Sequence, residues 1–217
     1  MSSAKLISFS KSVDNENDSI IDMVAYVARV SNPANQNNKL TNEKLINYLI
    51  KNKHWSPFEM VSICIEIKTS RDIARQILRH RSFSFQEFSQ RYAKVSEDFY
   101  EKEARMQDSK NRQSSLMTDN DKLKKEWEEK QDEIKNIVKK NYSWALENGI
   151  AKECARVILP EGLTPSTLYM SGSLRSWIHY LQLRCGNGTQ QEHMDVANKC
   201  KIAISKIFPN IFNLIHI

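Results

Sequence analysis

Arginine, histidine and amide side chains are concentrated between residues 71 and 92 of this 217-residue chain. Arg71, Arg75 and Arg79 recur at every fourth position, so on a helix they would line one face. Three like charges on one stripe repel each other, and the stripe therefore favours an anion or a carboxylate lying over it. Arginine offers planar, paired donors that suit phosphate better than lysine does. The spacing indicates a site for a phosphorylated or acidic group.

The stretch that follows, Phe83–Tyr92, mixes aromatic rings with hydroxyls, amides and one acid. A loop of this kind can stack on a flat ring and hydrogen-bond its polar edge. From the residues alone, two other interpretations stay open. One is a solvated basic helix followed by a surface loop. The other is a module that binds single-stranded nucleic acid through the arginine stripe and the aromatic rings, although Glu87 would repel a phosphate backbone there.

Polar residues recur at further places, each of which also has an ordinary structural explanation. His54–Glu59 places a Ser-Pro turn and an acid just before a predicted strand. Arg175 and His179 are four residues apart on a predicted helix, and Arg184 at its end would complement the helix dipole. Arg156 is ambiguous in isolation. No Walker A loop, dinucleotide-binding glycine motif or nucleophile elbow occurs in the sequence.

The composition limits the class of protein. The net charge is +6, hydrophobic residues make up 40% and charged residues 27%, which is ordinary globular usage and excludes a disordered or fibrous chain. The basic balance fits anionic partners of either kind, nucleic acid or phosphorylated small molecules. Four dispersed cysteines predict reduced thiols and neither a metal nor a redox pair. With no signal-like or membrane-spanning run, we expect a soluble protein in a reducing compartment, with no membrane partner.

Hydrophobic periodicity predicts one α+β domain over residues 1–217, rich in helix, around a small mixed or antiparallel sheet. The predicted strands are Lys5–Phe9, Val61–Ile67 and Thr167–Gly172. The predicted helices are Asp18–Val30, one that begins at Thr41, one that Ser70 caps and that runs through Arg79, Lys110–Gly149, Ala151–Leu159, Ser173–Arg184 and Thr189–Ile207.

The segment Lys110–Gly149 differs from the rest of the chain because it is dense in lysine, glutamate, asparagine and aspartate. Its apolar residues at helical spacing predict a long, largely solvated helix that ends at Gly149, where a left-handed cap would suit glycine. A third class of function, a helical interaction protein using Lys122–Ala145, would use this helix but would leave the arginine cluster unexplained.

The run Arg79–Tyr92 closely resembles the signature of the flavin-dependent thymidylate synthases, R-H-R, two residues, S, one residue, N-E, one residue, S, one residue, R-Y. Gln86 stands where that family usually has asparagine, which keeps the amide and lengthens it by one methylene. His54–Glu59 resembles the family's H-x-[ST]-P-F-E segment, and the resemblance continues through Ala155–Pro160 and from Leu174 to Arg184. It does not extend to residues 100–148, which we interpret as a divergent, largely helical insert.

The resemblance implies an enzyme that converts dUMP to dTMP. The family takes the carbon from methylenetetrahydrofolate and a hydride from FAD reduced by NADPH, and it works as a homotetramer whose active sites combine several subunits. Arg184 would polarise the uracil ring as the catalytic residue, and we expect no enzyme nucleophile. The competing nucleic-acid-binding class is then disfavoured.

The family's site residues carry over by position. Residues implied to bind dUMP are Gln76, Arg79, Glu87, Ser89, Gln90, Arg91, Arg156 and Arg184. Residues implied to bind FAD are Ser31, Ser56, Glu59, Arg79, His80, Arg81, Glu87, Ser173, Arg175 and His179. Ser173 and His179 stand where the family more often has asparagine.

Overall fold

The computed structural model describes residues 2–186 and 188–214. Within these ranges the strands are β1 (Ser3–Phe9), β2 (Ser62–Ser70), β3 (Ser84–Glu87), β4 (Arg105–Gln107), β5 (Ser115–Met117) and β6 (Pro165–Ser173). The helices are α1 (Ile20–Ala28), α2 (Asn42–Lys51), α3 (Arg71–Ile77), α4 (Asp121–Glu147), α5 (Lys152–Ala155), α6 (Leu174–Arg184), α7 (Gln191–Ser205) and α8 (Ile211–Leu214). Short 3-10 turns occur at Pro33–Asn35, Lys39–Thr41, Ser56–Met60 and Arg156–Ile158.

Four strands form an antiparallel sheet in the order β1-β2-β6-β3. On β2, Ile63, Ile65 and Ile67 are buried, while the intervening Cys64 and Glu66 are less so, as the alternation in the sequence predicts. Because a strand turns successive side chains to opposite faces, this pattern commits one face of the sheet to the core. The α+β prediction is confirmed, with a fully antiparallel sheet.

The main core lies between that face of the sheet and the helices α1, α2, α3, α6 and α7. Trp177 of α6 is fully buried, and its indole Nε1 donates to the carbonyl of Ile63 at 3.0 Å. Phe83 packs edge-on against Trp177 and lies against Gly172, where an added Cβ would come within 2.5 Å of the ring. The absence of a side chain at Gly172 therefore lets the segment after α3 close over the sheet.

A second, smaller core surrounds the C-terminal half of α4. Val138, Tyr142 and Ala145 pack with Val95 and Leu159. The Tyr142 hydroxyl also accepts from the backbone N–H of Val95 at 3.3 Å. Helix α4, which was predicted to be largely solvated, thus buries part of one face, and that face packs against the segment that follows the arginine-rich region.

The prediction of one helix over Lys110–Gly149 is wrong at its start. The helix begins at Asp121, and the preceding residues form a two-stranded hairpin in which β4 pairs with β5. The side chain of Asp108 accepts from the backbone N–H groups of Lys110 and Asn111, which turns the chain before any helix can start. Gly149 has φ +77°, which confirms the left-handed cap.

Three further boundaries differ from the prediction. The arginine-rich helix ends at Ile77, and residues 84–87, expected in a loop, form β3 on the edge of β6. Pro160 limits the helix predicted from Ala151, which is a single α turn continued by a 3-10 turn. Within the described ranges, no helix is long and apolar enough to cross a membrane.

Candidate functional site

Helix α3 carries two polar faces on either side of its buried apolar face. Gln76 on α3 contacts Gln190 and His193 at the start of α7, and His80, three residues after the helix ends, contacts Arg184 of α6. Arg71 and Arg75, four residues apart, face Glu87 at the end of β3. One short helix, fixed by its burial against the sheet, therefore positions both groups.

His80 holds the guanidinium group of Arg184. Arg184 Nε donates to His80 Nε2 at 3.0 Å, so the proton of the neutral imidazole lies on Nδ1. Burial, followed by the positive charges of Arg184 and His179, lowers the pKa of His80 to about 4. The imidazole is therefore an uncharged acceptor at neutral pH. In the part of the chain that the structure describes, the other two guanidinium nitrogens of Arg184 have no hydrogen-bond partner and are free for a ligand.

A partly buried chain of polar side chains continues from Gln76 to the buried His193 and Tyr180. Gln76 Nε2 donates to Gln190 Oε1 at 2.6 Å, and Gln76 Oε1 lies 3.2 Å from Nδ1 of His193. Nε2 of His193 lies 3.2 Å from the hydroxyl of Tyr180. Burial, followed by the charges of Arg184 and His80, lowers the pKa of His193 to about 3. We call these four residues the glutamine–histidine chain; it fixes both ends of the Gln76 amide.

The opposite face of α3 forms an arginine–glutamate cluster of Arg71, Arg75, Glu87 and Glu161. Four nitrogen–oxygen distances between its cations and carboxylates lie between 3.6 and 3.8 Å, too long for hydrogen bonds. Burial, together with the positive charges of Arg75 and Arg156, lowers the pKa of Arg71 against the opposing effect of the carboxylates. The buried Nη1 of Arg71 has no hydrogen-bond partner within the described residues. Carboxylates thus lie over Arg71 and Arg75 of the predicted arginine stripe, but the Nη1 donor of Arg71 stays without a hydrogen bond in the described part of the chain.

Glu87 also accepts from the Ser166 hydroxyl at 2.8 Å, which fixes its carboxylate at the junction of β3 and β6. Nearby in sequence, Gln90 is buried, and its Nε2 lacks a partner within the described residues. Arg91 and Arg156 meet through Glu153, whose carboxylate pairs with Arg91 at 3.1 Å and whose carbonyl accepts from Arg156 Nε at 3.3 Å. Glu153 thus brings Arg91 and Arg156 together, and Gln90 keeps an amide donor unused within the described residues.

A third polar group lies where the 3-10 turn Ser56–Met60 meets α6. Ser173 is the N-cap of α6 and accepts from the backbone N–H of Ser176 at 3.1 Å, while its hydroxyl donates to Glu59. Arg175 Nε lies 3.5 Å from a Glu59 oxygen. The sequence segments His54–Glu59 and Leu174–Arg184 are therefore brought together, as residues that share one ligand must be.

Five of the sequence-derived site residues stay apart from these groups in the single chain. They are exposed, and in the described ranges their side chains make no hydrogen bond or ion pair: Ser31, Ser56, Arg79, Arg81 and Ser89. His179 is also exposed and reaches His80 only through its charge. Residues 2–186 and 188–214 contain no group of three or more histidine, cysteine or carboxylate side chains placed to hold a metal.

Several residues that the structure places beside the site were not predicted from the sequence: Arg105, Glu161, Tyr180, Gln190, Glu192 and His193. One signal was available for His193, which precedes Val196 and Ala197 by three and four residues and so lies on the apolar side of α7. A histidine at such a position needs partners for both ring nitrogens. The partner at Nδ1, Gln76, is 117 residues away and could not be named from spacing.

Residues 13–210 match the family described as thymidylate synthase complementing protein. A relative from Paramecium bursaria Chlorella virus 1, named a probable flavin-dependent thymidylate synthase, is 53% identical over 209 residues, 96% of each chain. The flavin-dependent thymidylate synthase of Synechocystis is 48% identical over 200 residues, covering 92% of this chain and 91% of its own.

A solved structure has a similar fold. The UMP/dUMP methylase PolB from Streptomyces cacaoi, crystallised with 5-Br dUMP, superposes with a TM-score of 0.83 and 26% sequence identity. The match covers 99% of this chain and 94% of that one. Sequence and fold thus point to the same set of proteins.

Proposed function

The chain belongs to the flavin-dependent thymidylate synthase family, and from this premise we propose how its residues divide the reaction. The enzyme converts dUMP and methylenetetrahydrofolate to dTMP and tetrahydrofolate, while NADPH is oxidised to NADP⁺ and one proton is consumed. It is a methyltransferase with FAD as cofactor. The carbon donor, NADPH as reductant and the residue assignments below form the proposal.

The observation that carries the proposal is the hydrogen bond from Arg184 to a neutral His80. An uncharged acceptor fixes one edge of the guanidinium group without neutralising its charge. A uracil ring placed against the free edge would be stabilised in its N3-deprotonated form, because an adjacent fixed cation favours the anion. Deprotonation at N3 makes C5 electron-rich, so carbon transfer to C5 needs no enzyme nucleophile.

The remaining dUMP contacts are proposed from residues that offer donors to a phosphate or to the ring edge. Gln76 would bind the ring edge, since both ends of its amide are already oriented. Arg91 and Arg156, which meet at Glu153, would bind the phosphate together with Arg79 and Ser89. Glu87 and Gln90 would complete the site.

The residues fit FAD, whose diphosphate needs several cationic donors. Arg79 and Arg81 are exposed, and their side chains make no hydrogen bond or ion pair in the described part of the chain, so both can bind a diphosphate. The buried Nη1 of Arg71, beside Glu87, is a further donor without a partner there. Residues proposed to hold FAD are Ser31, Ser56, Glu59, Arg79, His80, Arg81, Glu87, Ser173, Arg175 and His179. When bound, FAD supplies the hydride that reduces the transferred carbon to a methyl group.

We also propose that the active site is completed in a homotetramer. Arg79, Arg81 and Ser89 project from one chain without partners in the residues described, which is expected if a neighbouring copy supplies the rest of each pocket. Mixing two inactive variants, Arg184→Ala and Arg91→Ala, should restore activity if these residues meet across subunits. Light scattering of the unmixed enzyme should give four times the mass of the chain.

Replacing Arg184 by alanine tests the function directly. Carbon transfer starts at C5, so release of tritium from [5-³H]dUMP should fall by about 10²- to 10³-fold, the cost of removing one preorganised charge from a transition state. The flavin absorbance of the purified variant should stay that of the wild type. Arg112→Ala, which removes an exposed arginine, is the control. Tritium release that survives in Arg184→Ala would exclude Arg184 from the chemistry.

A further inference from the structure

The glutamine–histidine chain ends on a carboxylate that an arginine of the hairpin holds. Gln190 Nε2 donates to Glu192 Oε2 at 2.8 Å, and Arg105 of β4 donates to Glu192 Oε1 at 2.5 Å. The carboxylate is about four-fifths shielded from solvent. Burial alone would raise the pKa of Glu192, but hydrogen bonds from Arg105, from its own backbone N–H and from Gln190 outweigh burial and lower the pKa.

The charge on Glu192 sets the direction of every hydrogen bond in the chain. A carboxylate only accepts, so Gln190 must present Nε2 to it and Oε1 to Gln76. Gln76 must then donate from Nε2, which leaves its Oε1 to accept from Nδ1–H of His193. Nε2 of the same imidazole in turn accepts from the hydroxyl of Tyr180.

The same side chains could be joined in the opposite direction. Two carboxamides and one imidazole can each be reversed end for end with nearly the same shape, and a tyrosine hydroxyl both donates and accepts. Shape therefore does not choose between the two directions. The group that does choose is the one at the end of the chain that cannot donate, Glu192.

We propose that Arg105 and Glu192 are positioning residues that fix which end of the Gln76 amide faces the pyrimidine and thereby select uracil over cytosine. The inference rests on the proposed contact between Gln76 and dUMP. At position 4, uracil presents the acceptor O4 whether or not N3 carries a proton, whereas cytosine presents the donor N4–H. An amide reversed end for end would exchange its free donor and acceptor and so suit the other base.

Contacts with α3 and α4 hold the β4–β5 hairpin in place, as the positioning role of Arg105 requires. Lys102, just before β4, reaches the carboxylate of Asp72 on α3 at 3.0 Å. Its backbone carbonyl accepts from Trp127 Nε1 at 2.8 Å and from Gln131 Nε2 at 3.0 Å, both on α4. The segment that bears Arg105 is thus tied to α3 and α4, next to Glu192. This gives part of the divergent segment 100–148 a role in substrate selection.

Glu192→Gln is the sharpest test because it preserves shape and reverses the chain. Arg105 only donates, so it takes the new amide oxygen and leaves the NH₂ group to face Gln190, which must then turn over. We expect dUMP to bind roughly tenfold more weakly to the FAD-loaded variant and dCMP roughly tenfold more tightly. Asp195→Asn, the same loss of charge at an exposed position of α7, should leave both affinities unchanged.

A second substitution should restore the original preference. In Arg105→Met/Glu192→Gln nothing forces the new amide to present its NH₂ group, so the ratio of dUMP to dCMP affinity should move back toward that of the wild type. A residue that only supports the fold would not be rescued by losing its partner. An unchanged ratio in Glu192→Gln, or the absence of rescue, would overturn the proposal.

Nitrogen-15 NMR of the histidines separates this inference from the proposed function. His193 should carry its proton on Nδ1 in the wild type and on Nε2 in Glu192→Gln, whether or not nucleotide is present. A tautomer change without any binding of dUMP to the wild type would mean that the chain works as described and that the proposed function is wrong. The same tautomer in both proteins would show that Glu192 does not set the direction.

Discussion

The two polar faces of α3 use opposite solutions to the problem of burying polar groups. On the side of Gln76, two amides, one neutral imidazole and a phenol are linked at 2.6 to 3.2 Å. On the side of Arg71, full charges face each other at 3.6 to 3.8 Å and one buried nitrogen has no hydrogen bond in the described residues. The side chains of the first region hold one another in place within one chain, whereas the second region leaves a buried donor for a ligand or a neighbouring copy.

This difference in hydrogen bonding suits the two regions to different kinds of ligand contact. A network whose side chains are each held by hydrogen bonds at both ends is rigid, because any movement breaks a bond to a partly or fully buried group. Such rigidity suits the recognition of a ring edge, where donor and acceptor must be placed exactly as the ring requires. A charged cluster without close contacts can rearrange at little cost, which suits the binding of phosphate groups.

The largest effect that we expect from the difference between the two polar faces of α3 is on the free energy of unfolding. His193→Phe keeps a buried ring but removes the partners of Gln76 and Tyr180, so we expect the free energy of unfolding to fall by about 3 kcal/mol. Arg75→Met, in the charged region, removes half-exposed ion pairs and should cost less than about 1 kcal/mol. Urea unfolding of both variants measures the difference. Equal losses would mean that the two regions are not organised differently.

A smaller effect should appear when the pH is lowered. The pKa of His193 is about 3 in the folded protein and ordinarily 6.5, so below pH 6.5 the unfolded chain binds a proton that the folded protein does not. Stability is therefore full above pH 6.5 and falls as the pH drops toward 3, by about 2 kcal/mol from His193 alone between pH 6.5 and 5. The sign is the same for His80, which is partly exposed and contributes less.

Urea unfolding at pH 7.5, 6.5 and 5.0 measures this dependence. His193→Phe should flatten the profile, because the variant has no proton to take up at that position. His54→Gln, at an exposed histidine, should keep the wild-type profile. A profile that is as steep in His193→Phe as in the wild type would place the titration elsewhere in the molecule.

How well each region could be predicted from the sequence depends on how many residues separate its side chains along the chain. The spacing of Arg71 and Arg75 is local, so their shared face could be predicted, as could the N-cap position of Ser70 on α3 and the burial of alternate residues on β2. Strand β3 was missed because four residues carry too little alternation and its partner β6 begins 78 residues after it ends. The hydrogen bonds of Gln76 span 114 and 117 residues, which no local pattern encodes.

The motif resemblance supplied what local patterns lacked, but only at the matching positions. It indicated His80 as an FAD residue and Arg184 as a dUMP residue, and the structure adds that the two are 3.0 Å apart. It could not indicate Arg105 or Glu192, because Arg105 lies in the segment without similarity and Glu192 lies beyond the last matched stretch. Residues that support a site from outside the motif have to be found from the structure.

The smallest effect is expected when the same substitution, glutamate to glutamine, is made in each of the two regions. Glu192 accepts a charge-assisted hydrogen bond from Arg105 and a second from Gln190, whereas Glu87 accepts one from Ser166 and meets its two arginines only beyond hydrogen-bonding distance. Glu192→Gln should therefore lower the free energy of unfolding by about 1 kcal/mol more than Glu87→Gln does.

Repeating the urea unfolding at high salt tests the same difference between Glu192 and Glu87 in a second way. The loss in Glu87→Gln comes from charges that are not in contact, so it should shrink when urea unfolding is repeated in 1 M NaCl, where the screening length is about 3 Å. The loss in Glu192→Gln comes from a contact at 2.5 Å in a shielded position and should persist. If both losses shrank together, the carboxylate of Glu192 would be acting through its general field, and the distinction between a fixed and an adaptable face of α3 would have to be abandoned.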